Sequence, residues 1–311
     1  MNPFKYSLDN KRYHTFNYYL KTKYNCKVAK VILDAHLTCP NIDGTKGLGG
    51  CTFCSNLGSG DSNLCNNKSI IEQYNINKEV MNKKWPNDLY IPYFQSHTNT
   101  YTSLDNLKEM LEPFINNKEV VEISLATRCD CLKDEIISYL NGLTSIKPIW
   151  LELGLQTSND NTEKCLNRCY SFKDFKDTID KLSKTNIKVC IHIIDGLPFE
   201  KEEDMLQTIK DINHLPFHAI KIHMLHILKG TKMEEIYNKE KFYLLTRDEY
   251  IDIVVKQLEL LNENIIIERL TSDPIGDTLL EPKWLTNKTT ILNDIDKLMV
   301  KKDTYQGKLY Q

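Results

Sequence analysis

The sequence lacks any long apolar run. No stretch approaches the roughly 18 apolar residues of a membrane-spanning helix, and no N-terminal apolar segment resembles a secretory leader. It also lacks an excess of charge of either sign. The 40 Lys and Arg nearly balance the 42 Asp and Glu, leaving a net −2 and a pI near 6.5. That excludes a whole-chain basic footprint for nucleic acid and confines any such contact to a local patch. There is no low-complexity segment and no short-period repeat. A charged fraction of 26% with 41% hydrophobic residues argues against wholesale disorder. These absences predict a cytoplasmic globular protein with no membrane association. In that compartment the ten cysteines do not read as a disulfide framework. They read as buried apolar residues, metal ligands or reactive thiols.

What is present is an alternation of apolar, strand-like runs with longer amphipathic segments. The strand candidates span 30–39, 89–97, 120–129, 149–157, 187–198 and 219–230, with a seventh at 264–273. Helix candidates lie near 68–84, 103–117, 132–141, 172–186, 202–213 and 247–262; in the last, Ile251, Val254, Val255, Leu258 and Leu261 share a face. Strands alternating with helices imply βαβ units and a parallel α/β sheet. Polar residues gather where the runs end: Gln95, Arg128, Gln156 and Asp195. In parallel barrels that end carries the chemistry. Six strands before residue 230 suit a partial barrel, with an open doubly wound sheet as the alternative that periodicity alone does not separate.

The most informative segment is LTCPNIDGTKGLGGCTFCSNLGSGD at 37–61. Cys39 follows the first strand, eleven residues intervene before Cys51, and two more before Cys54. Soft thiolates suit zinc or an iron–sulfur cluster. Glycines 44, 47, 49 and 50 permit close backbone approach to a bulky group. A structural zinc wants four closed ligands; CTFC is the only CxxC, though Cys65, His36 or a distant cysteine leaves a fourth ligand conceivable.

This segment resembles the radical S-adenosylmethionine (SAM) superfamily, in the branch related to the elongator catalytic subunit and most closely the bacterial YhcC/YtqA-type family. RYHTFNYYLKTKY (12–24), YFQSHTNTY (93–101), SLATRCDCL (124–132), LELGLQT (151–157), HIIDGLP (192–198), HMLHILKGT (223–231) and IERLTSDP (267–274) resemble its segments. One departure is Cys129, where the family pattern has Pro. The resemblance implies an α/β fold, a radical SAM partial (β/α)6 TIM-like barrel with N- and C-terminal extensions. The partition expected is a basic, aromatic extension at 1–29, the radical SAM core at 30–235, and a segment at 236–311 that completes or caps the barrel. It implies a 4Fe–4S cluster on Cys39, Cys51 and Cys54, whose open iron chelates SAM, and an external electron donor of flavodoxin or ferredoxin type.

By position on that barrel, Gln95, Asn99, Ser124, Arg128, Glu152 and Gln156 are candidates to bind SAM, with Thr98 beside them. Glu152 is expected to accept ribose hydroxyls and Arg128 to pair with the SAM carboxylate. His192, Asp195 and His223 are candidate catalytic groups for substrate contact or proton relay, with His226 nearby. Arg269 and Asp273 are expected at the far side of the mouth. Cys165 and Cys169, four apart, are expected on one helix face; with Cys129 and Cys131 they read as unliganded thiols.

Residues 1–30 hold seven Lys or Arg against one Asp, interleaved with aromatics. Cations neutralise phosphate and rings stack on unpaired bases. Lys11, Arg12, Tyr18, Tyr19, Lys21 and Lys23 are therefore candidate nucleic-acid contacts, with an N-terminal helix packed on the barrel as the structural alternative. The family resemblance implies tRNA as partner. The reaction implied converts 5-carboxymethylaminomethyl-(2-thio)uridine at the wobble position to 5-aminomethyl-(2-thio)uridine, and a separate tRNA methyltransferase acts next. The competing readings are a radical SAM enzyme acting on a small molecule or protein, and a zinc-stabilised RNA-binding module. After anaerobic reconstitution the protein is expected to hold about four irons per chain. Colour, iron and SAM cleavage should all vanish in the Cys39→Ala, Cys51→Ala, Cys54→Ala variant. A colourless protein with one zinc and no cleavage would remove the enzyme reading.

Overall fold

Alternating apolar and amphipathic segments fold as β/α repeats. The computed structural model describes residues 2–55, 58, 67–84, 86, 88–272 and 276–311; Cys65 and Asp273 lie outside them. In chain order the elements are α1 (Phe16–Tyr24), β1 (Val28–Leu33), α2 (Ile70–Lys84), β2 (Leu89–Phe94), α3 (Leu104–Ile115), β3 (Ile123–Thr127), α4 (Asp134–Leu143) and β4 (Ile149–Gln156). Then come α5 (Asp160–Leu166), α6 (Phe172–Leu182), β5 (Lys188–Asp195), α7 (Glu202–Ile212), β6 (Ala219–Met224), β7 (Ile227–Leu228), α8 (Lys232–Glu240), α9 (Arg247–Leu260), β8 (Ile266–Arg269), β9 (Leu279–Glu281) and α10 (Lys288–Lys301). Polar side chains set several helix starts: Ser103 caps α3, and Ser171 with Asp174 and Thr246 with Glu249 form capping boxes at α6 and α9.

Seven strands form one sheet in the order β1-β2-β3-β4-β5-β6-β8, and every neighbouring pair is parallel. The sheet curls. Laid flat, its edge strands would stand about 29 Å apart at the usual interstrand spacing. Yet Lys30 on β1 reaches Glu268 on β8 at 2.5 Å across the enclosed lumen. β7 and β9 pair separately as a short antiparallel ribbon. Residues 236–311 therefore do two things: they supply β8, the seventh strand, and they add α9 and α10, which pack on each other outside it.

Alternation along each strand sorts side chains into two layers. Leu151, Leu153, Ile191, Ile193, Ile220 and Ile222 face the helices in the main core. The lumen takes the other parity. Its lowest layer is Trp150, Cys190, Ala219 and Ile266, contributed by the N-terminal parts of four strands and packed against Phe16 and Tyr19 of α1. Helix α1 thus plugs the bottom of the barrel. Glu122, fully buried, takes hydrogen bonds there from Tyr19 at 2.7 Å, Lys23 at 2.7 Å and the Trp150 indole at 2.6 Å.

This placement answers two sequence expectations. The N-terminal candidates for nucleic acid sit at the barrel end opposite the cysteine loop. Lys11 pairs with Asp296 and Arg12 with Asp303 on the C-terminal segment. Tyr18 packs edge-on against Tyr6 and His14, Tyr19 and Lys23 hold Glu122, and Lys21 is exposed. Lys21 apart, their charges and rings are engaged in fold contacts. Asp195, expected to be catalytic, ends β5 on the helix-facing side, where its Oδ1 accepts from Gln257 of α9 at 2.8 Å. It shares parity with Ile191 and Ile193, not with His192, so it points away from the lumen.

Burial pushes the Asp195 carboxyl up to about 7; the Gln257 bond opposes this and the nearby Glu200 adds to it. The folded chain thus binds a proton there that the unfolded chain releases near its ordinary 3.8. Stability contributed by protonated Asp195 falls as pH rises from about 4 through about 7. Asp195→Asn removes this dependence. Urea unfolding should show wild type losing stability relative to the variant between those pH values; a constant difference would refute the assignment. Trp150→Ala, which also strips Glu122 of a donor, should cost about 3–5 kcal/mol in the same assay.

Candidate cofactor and active site

The loop carrying the cysteines leaves β1 and is clamped over the C-terminal mouth from three sides. Thr52 N–H donates to the Leu166 carbonyl at 3.0 Å, and Asn167 Nδ2 donates to the Gly50 carbonyl at 2.7 Å. Met233 N–H, at the start of α8, donates to the Thr52 carbonyl at 2.8 Å. Lys46 pairs with Asp130, just past β3, at 2.7 Å. A loop over an open mouth must satisfy its backbone in this way or lose it to water.

Beneath the loop is a cavity of about 430 Å³ lined by Cys39, Cys51 and Cys54 together with strand-end residues. Cys39 Sγ lies 3.0 Å from the Thr98 hydroxyl. Asn41, itself buried, donates to Cys51 Sγ at 3.2 Å and to the Asn167 carbonyl at 3.0 Å. The Cys54 bond, opposed by burial and helped by Arg128 and Asn41, lowers the Cys51 thiol to about 7, while burial raises that of Cys39. Three soft donors facing one cavity, with polar hydrogens aimed at sulfur, fit a cluster that keeps one iron open toward the lumen. They suit a single zinc poorly. Thiolates about 2.3 Å from one tetrahedral ion stand about 3.8 Å apart. Among the described residues no ligand trio that includes these sulfurs closes to within 4.8 Å. The trio that does is Glu152, Cys190 and His192, but two ammonium groups already occupy that carboxylate and would repel a cation.

Of the expected SAM-binding residues, Gln95, Arg128, Glu152 and Gln156 line the cavity. A register shift between Gly154 and Gln156 and a φ of 65° re-aim Gln156. A Cβ at Gly154 would stand 2.6 Å from Gln156 Nε2, so a side chain there would push the Gln156 amide aside. Arg128 lines the wall, but its fork is bidentate to Asp130 at 2.9 Å and bonds the Arg168 carbonyl at 2.7 Å. Through Asp130 and Lys46 it braces the cysteine loop rather than offering an open clamp. Asn99 and Ser124 do not border the cavity. Asn99 Nδ2 binds the carbonyls of Phe94, Ser96 and Ala126, shaping the turn after β2.

Glu152 departs most from expectation. Its Oε1 accepts from Lys30 at 2.7 Å and Ser124 at 2.6 Å. Its Oε2 accepts from His192 at 2.8 Å and from Lys221. A carboxylate has about four lone-pair positions, so none remains for a ribose. Burial alone would raise this carboxyl; Lys221, Lys30 and His192 instead hold it well below the usual range. Lys30, Lys221 and Glu268 join it in one luminal network that sequence reasoning missed. His192 and His223 face the same cavity with ring centroids 5.4 Å apart. Burial and the neighbouring cations lower His192 to about 4 and His223 well below its ordinary value, so both rings are neutral. Cys165 and Cys169 do not share a helix face. Asn167 ends α5 in the left-handed region, and Cys169 follows at φ 67°.

Comparison with known proteins agrees with this geometry. The Radical SAM superfamily pattern matches residues 46–212, and the Radical SAM C-terminal domain matches 217–301. YtqA of Bacillus subtilis (strain 168) is 43% identical over 310 residues, 100% of this chain and 96% of YtqA; its name states no activity. The tRNA-2-methylthio-N(6)-dimethylallyladenosine synthase of Caldicellulosiruptor saccharolyticus is 25% identical over 55% of this chain and 38% of its own. The archaeal Methanocaldococcus infernus Elp3 shares the fold with a TM-score of 0.67 at 17% identity, over 90% of this chain and 64% of that one. With the cysteine loop, the parallel half-barrel and these matches in hand, the chain belongs to the radical SAM superfamily, and its cofactors are a 4Fe–4S cluster and SAM.

Proposed function

We propose that this enzyme modifies the wobble uridine of tRNA, converting 5-carboxymethylaminomethyl-(2-thio)uridine to 5-aminomethyl-(2-thio)uridine. The observation that carries an RNA substrate is the rim of the cavity. Phe199, four residues beyond β5, is 65% exposed although its backbone sits at φ 68°. A bulky residue there costs about 1–3 kcal/mol and must be held by its surroundings. Its ring lies 6.5 Å from that of Phe242, which belongs to the cluster containing Phe53 and Ile194 of the cavity wall. Tyr243 is 67% exposed, with its hydroxyl anchored on Glu249 at 2.7 Å. The exposed Phe199 ring, packed on Phe242 behind the cavity wall, would suit stacking by a base splayed from a single-stranded loop. The tRNA-modifying relative supports tRNA as the substrate class.

Bound cluster and SAM supply a carbon radical able to take a hydrogen atom from an unactivated position. The chain's residues do the rest. The plugged barrel floor closes the lumen from below, leaving the upper mouth as the way in. In the chemistry proposed, the glycyl α-carbon of the side chain gives up a hydrogen atom. One further electron passes to an iron–sulfur or flavin-class acceptor, and the amine loses a proton as C=N forms. Water then adds, the C–N bond breaks, and glyoxylate leaves the aminomethyl product. A tRNA methyltransferase would consume that amine, and a flavodoxin- or ferredoxin-type donor in the cytoplasm would supply the reducing electron.

The test is single-turnover reaction of reconstituted enzyme, SAM and dithionite with tRNA bearing the carboxymethylaminomethyl group, followed by nucleoside mass spectrometry. Loss of the carboxymethyl unit with equimolar glyoxylate is expected. Phe199→Ala should weaken tRNA binding by about 1–3 kcal/mol. An unchanged nucleoside beside normal SAM cleavage would hand the chain to a small-molecule or protein substrate.

A further inference from the structure

The lumen presents charged or titratable groups from every side: Lys30 from β1, Tyr93 from β2, Glu152 from β4, His192 from β5, Lys221 and His223 from β6, and Glu268 and Arg269 from β8. Glu152 organises them. Two ammonium groups and the Ser124 hydroxyl fill three of its acceptor positions, and His192 Nε2 fills the fourth at 2.8 Å. An ionised carboxylate only accepts. The imidazole must therefore donate to it through Nε2–H. A neutral imidazole has one N–H, and burial with Lys221 beside it keeps this ring neutral. Its lone pair is then on Nδ1, on a ring that borders the cavity and keeps 18% of its side-chain surface exposed.

We infer that the Glu152 network locks His192 as the Nε2–H tautomer and that its Nδ1 is the acceptor for the N–H of a substrate amine adjacent to the reacting carbon. The Nε2–H donor stands on the contact with Glu152, the free Nδ1 also on the burial that keeps the ring neutral, and the identity of the amine rests on the reading above. As the α-carbon loses its hydrogen atom and the second electron goes to the iron–sulfur or flavin-class acceptor, the N–H bond breaks and its proton moves to Nδ1. C=N forms, and Glu152 stabilises the imidazolium. Lys221 and Lys30 keep that imidazolium acidic, so the proton returns to the departing amine during hydrolysis. His192 is then a catalytic residue, whereas Glu152, Lys30 and Lys221 are positioning residues.

The first measurement is the tautomer. The full chain is labelled with ¹⁵N-histidine and examined by long-range ¹H–¹⁵N correlation before and after cluster loading, with His192 assigned by its absence in His192→Asn. A neutral Nε2–H ring at pH 7 is expected. An Nδ1–H ring or an imidazolium overturns the inference. The second is kinetic. His192→Asn keeps a side-chain oxygen near the Nδ1 position but no basicity. It should bind the modified tRNA nearly as wild type does and cleave SAM, while nucleoside turnover falls about 10²–10⁴-fold. His192→Leu should lose binding as well. Turnover within a few-fold of wild type in His192→Asn refutes the proton transfer. If wild type leaves the nucleoside unchanged while the tautomer is as expected, the substrate reading fails and the acceptor role stands.

Discussion

One carboxylate in the barrel lumen sets the terms for the rest of the chain. A charge moved from water into a protein interior is costly unless it is paired and hydrogen-bonded. Glu152 is fully buried and meets that condition with two lysines, a serine and a histidine. Removing Lys30 or Lys221 leaves an uncompensated charge, and removing Ser124 or His192 leaves a buried carboxylate oxygen short of a donor. Such a unit needs a wall on every side. The curl that brings β1 against β8 supplies one, since Lys30 bridges Glu152 and Glu268 at 2.7 and 2.5 Å. Helix α1 supplies the floor, with Lys30 Nζ 4.8 Å from the Phe16 ring centroid.

The two ends of the barrel consequently have separate tasks. At the bottom, aromatic rings and Glu122 close the lumen. At the top, the strand ends and the cysteine loop leave it open. Of the basic residues near the N-terminus, Lys11, Arg12 and Lys23 have acidic partners at the bottom and in the C-terminal segment. Beyond β5, Phe199 is an exposed aromatic ring. Were the substrate proposed above a single-stranded loop, such a ring would offer a stacking plane for an unpaired base.

Much of this was legible in sequence. The alternation of strand and helix runs, the cysteine spacing and the polar strand ends all led to the parallel barrel and its mouth. Period-two parity within the runs was also there to read. In KVCIHIID, Lys188, Cys190 and His192 share one face and Asp195 takes the other; in AIKIHM, Lys221 and His223 share the lumen face. Those positions are embedded in apolar runs buried on both sides, where hydrophobicity does not say which face is inward. The network was illegible for a different reason. Lys30 and Glu152 are 122 residues apart, and Lys30 and Glu268 are 238 apart; no local pattern announces such a pair. The same holds for Lys11 and Asp296, 285 apart. Charge counted along a segment measures supply, and only the fold reveals where it is consumed.

The neutral state of His192 follows first from burial and then from Lys221 beside it, and it bears on the chemistry. A histidine beside a lone carboxylate is usually made more basic, because the imidazolium gains an ion pair. Here the carboxylate is already shared by two ammonium groups, so its field at the ring is largely spent, and burial with Lys221 wins. The result is an imidazole that is oriented firmly and holds a proton weakly. A strong base in this position would be protonated before substrate arrived and would present a donor to the substrate amine. A weak, oriented one presents a lone pair at neutral pH and takes a proton only when removal of a hydrogen atom makes the amine acidic. Burial, with two lysines around one glutamate, thus keeps this histidine uncharged and able to accept from the amine proposed as substrate.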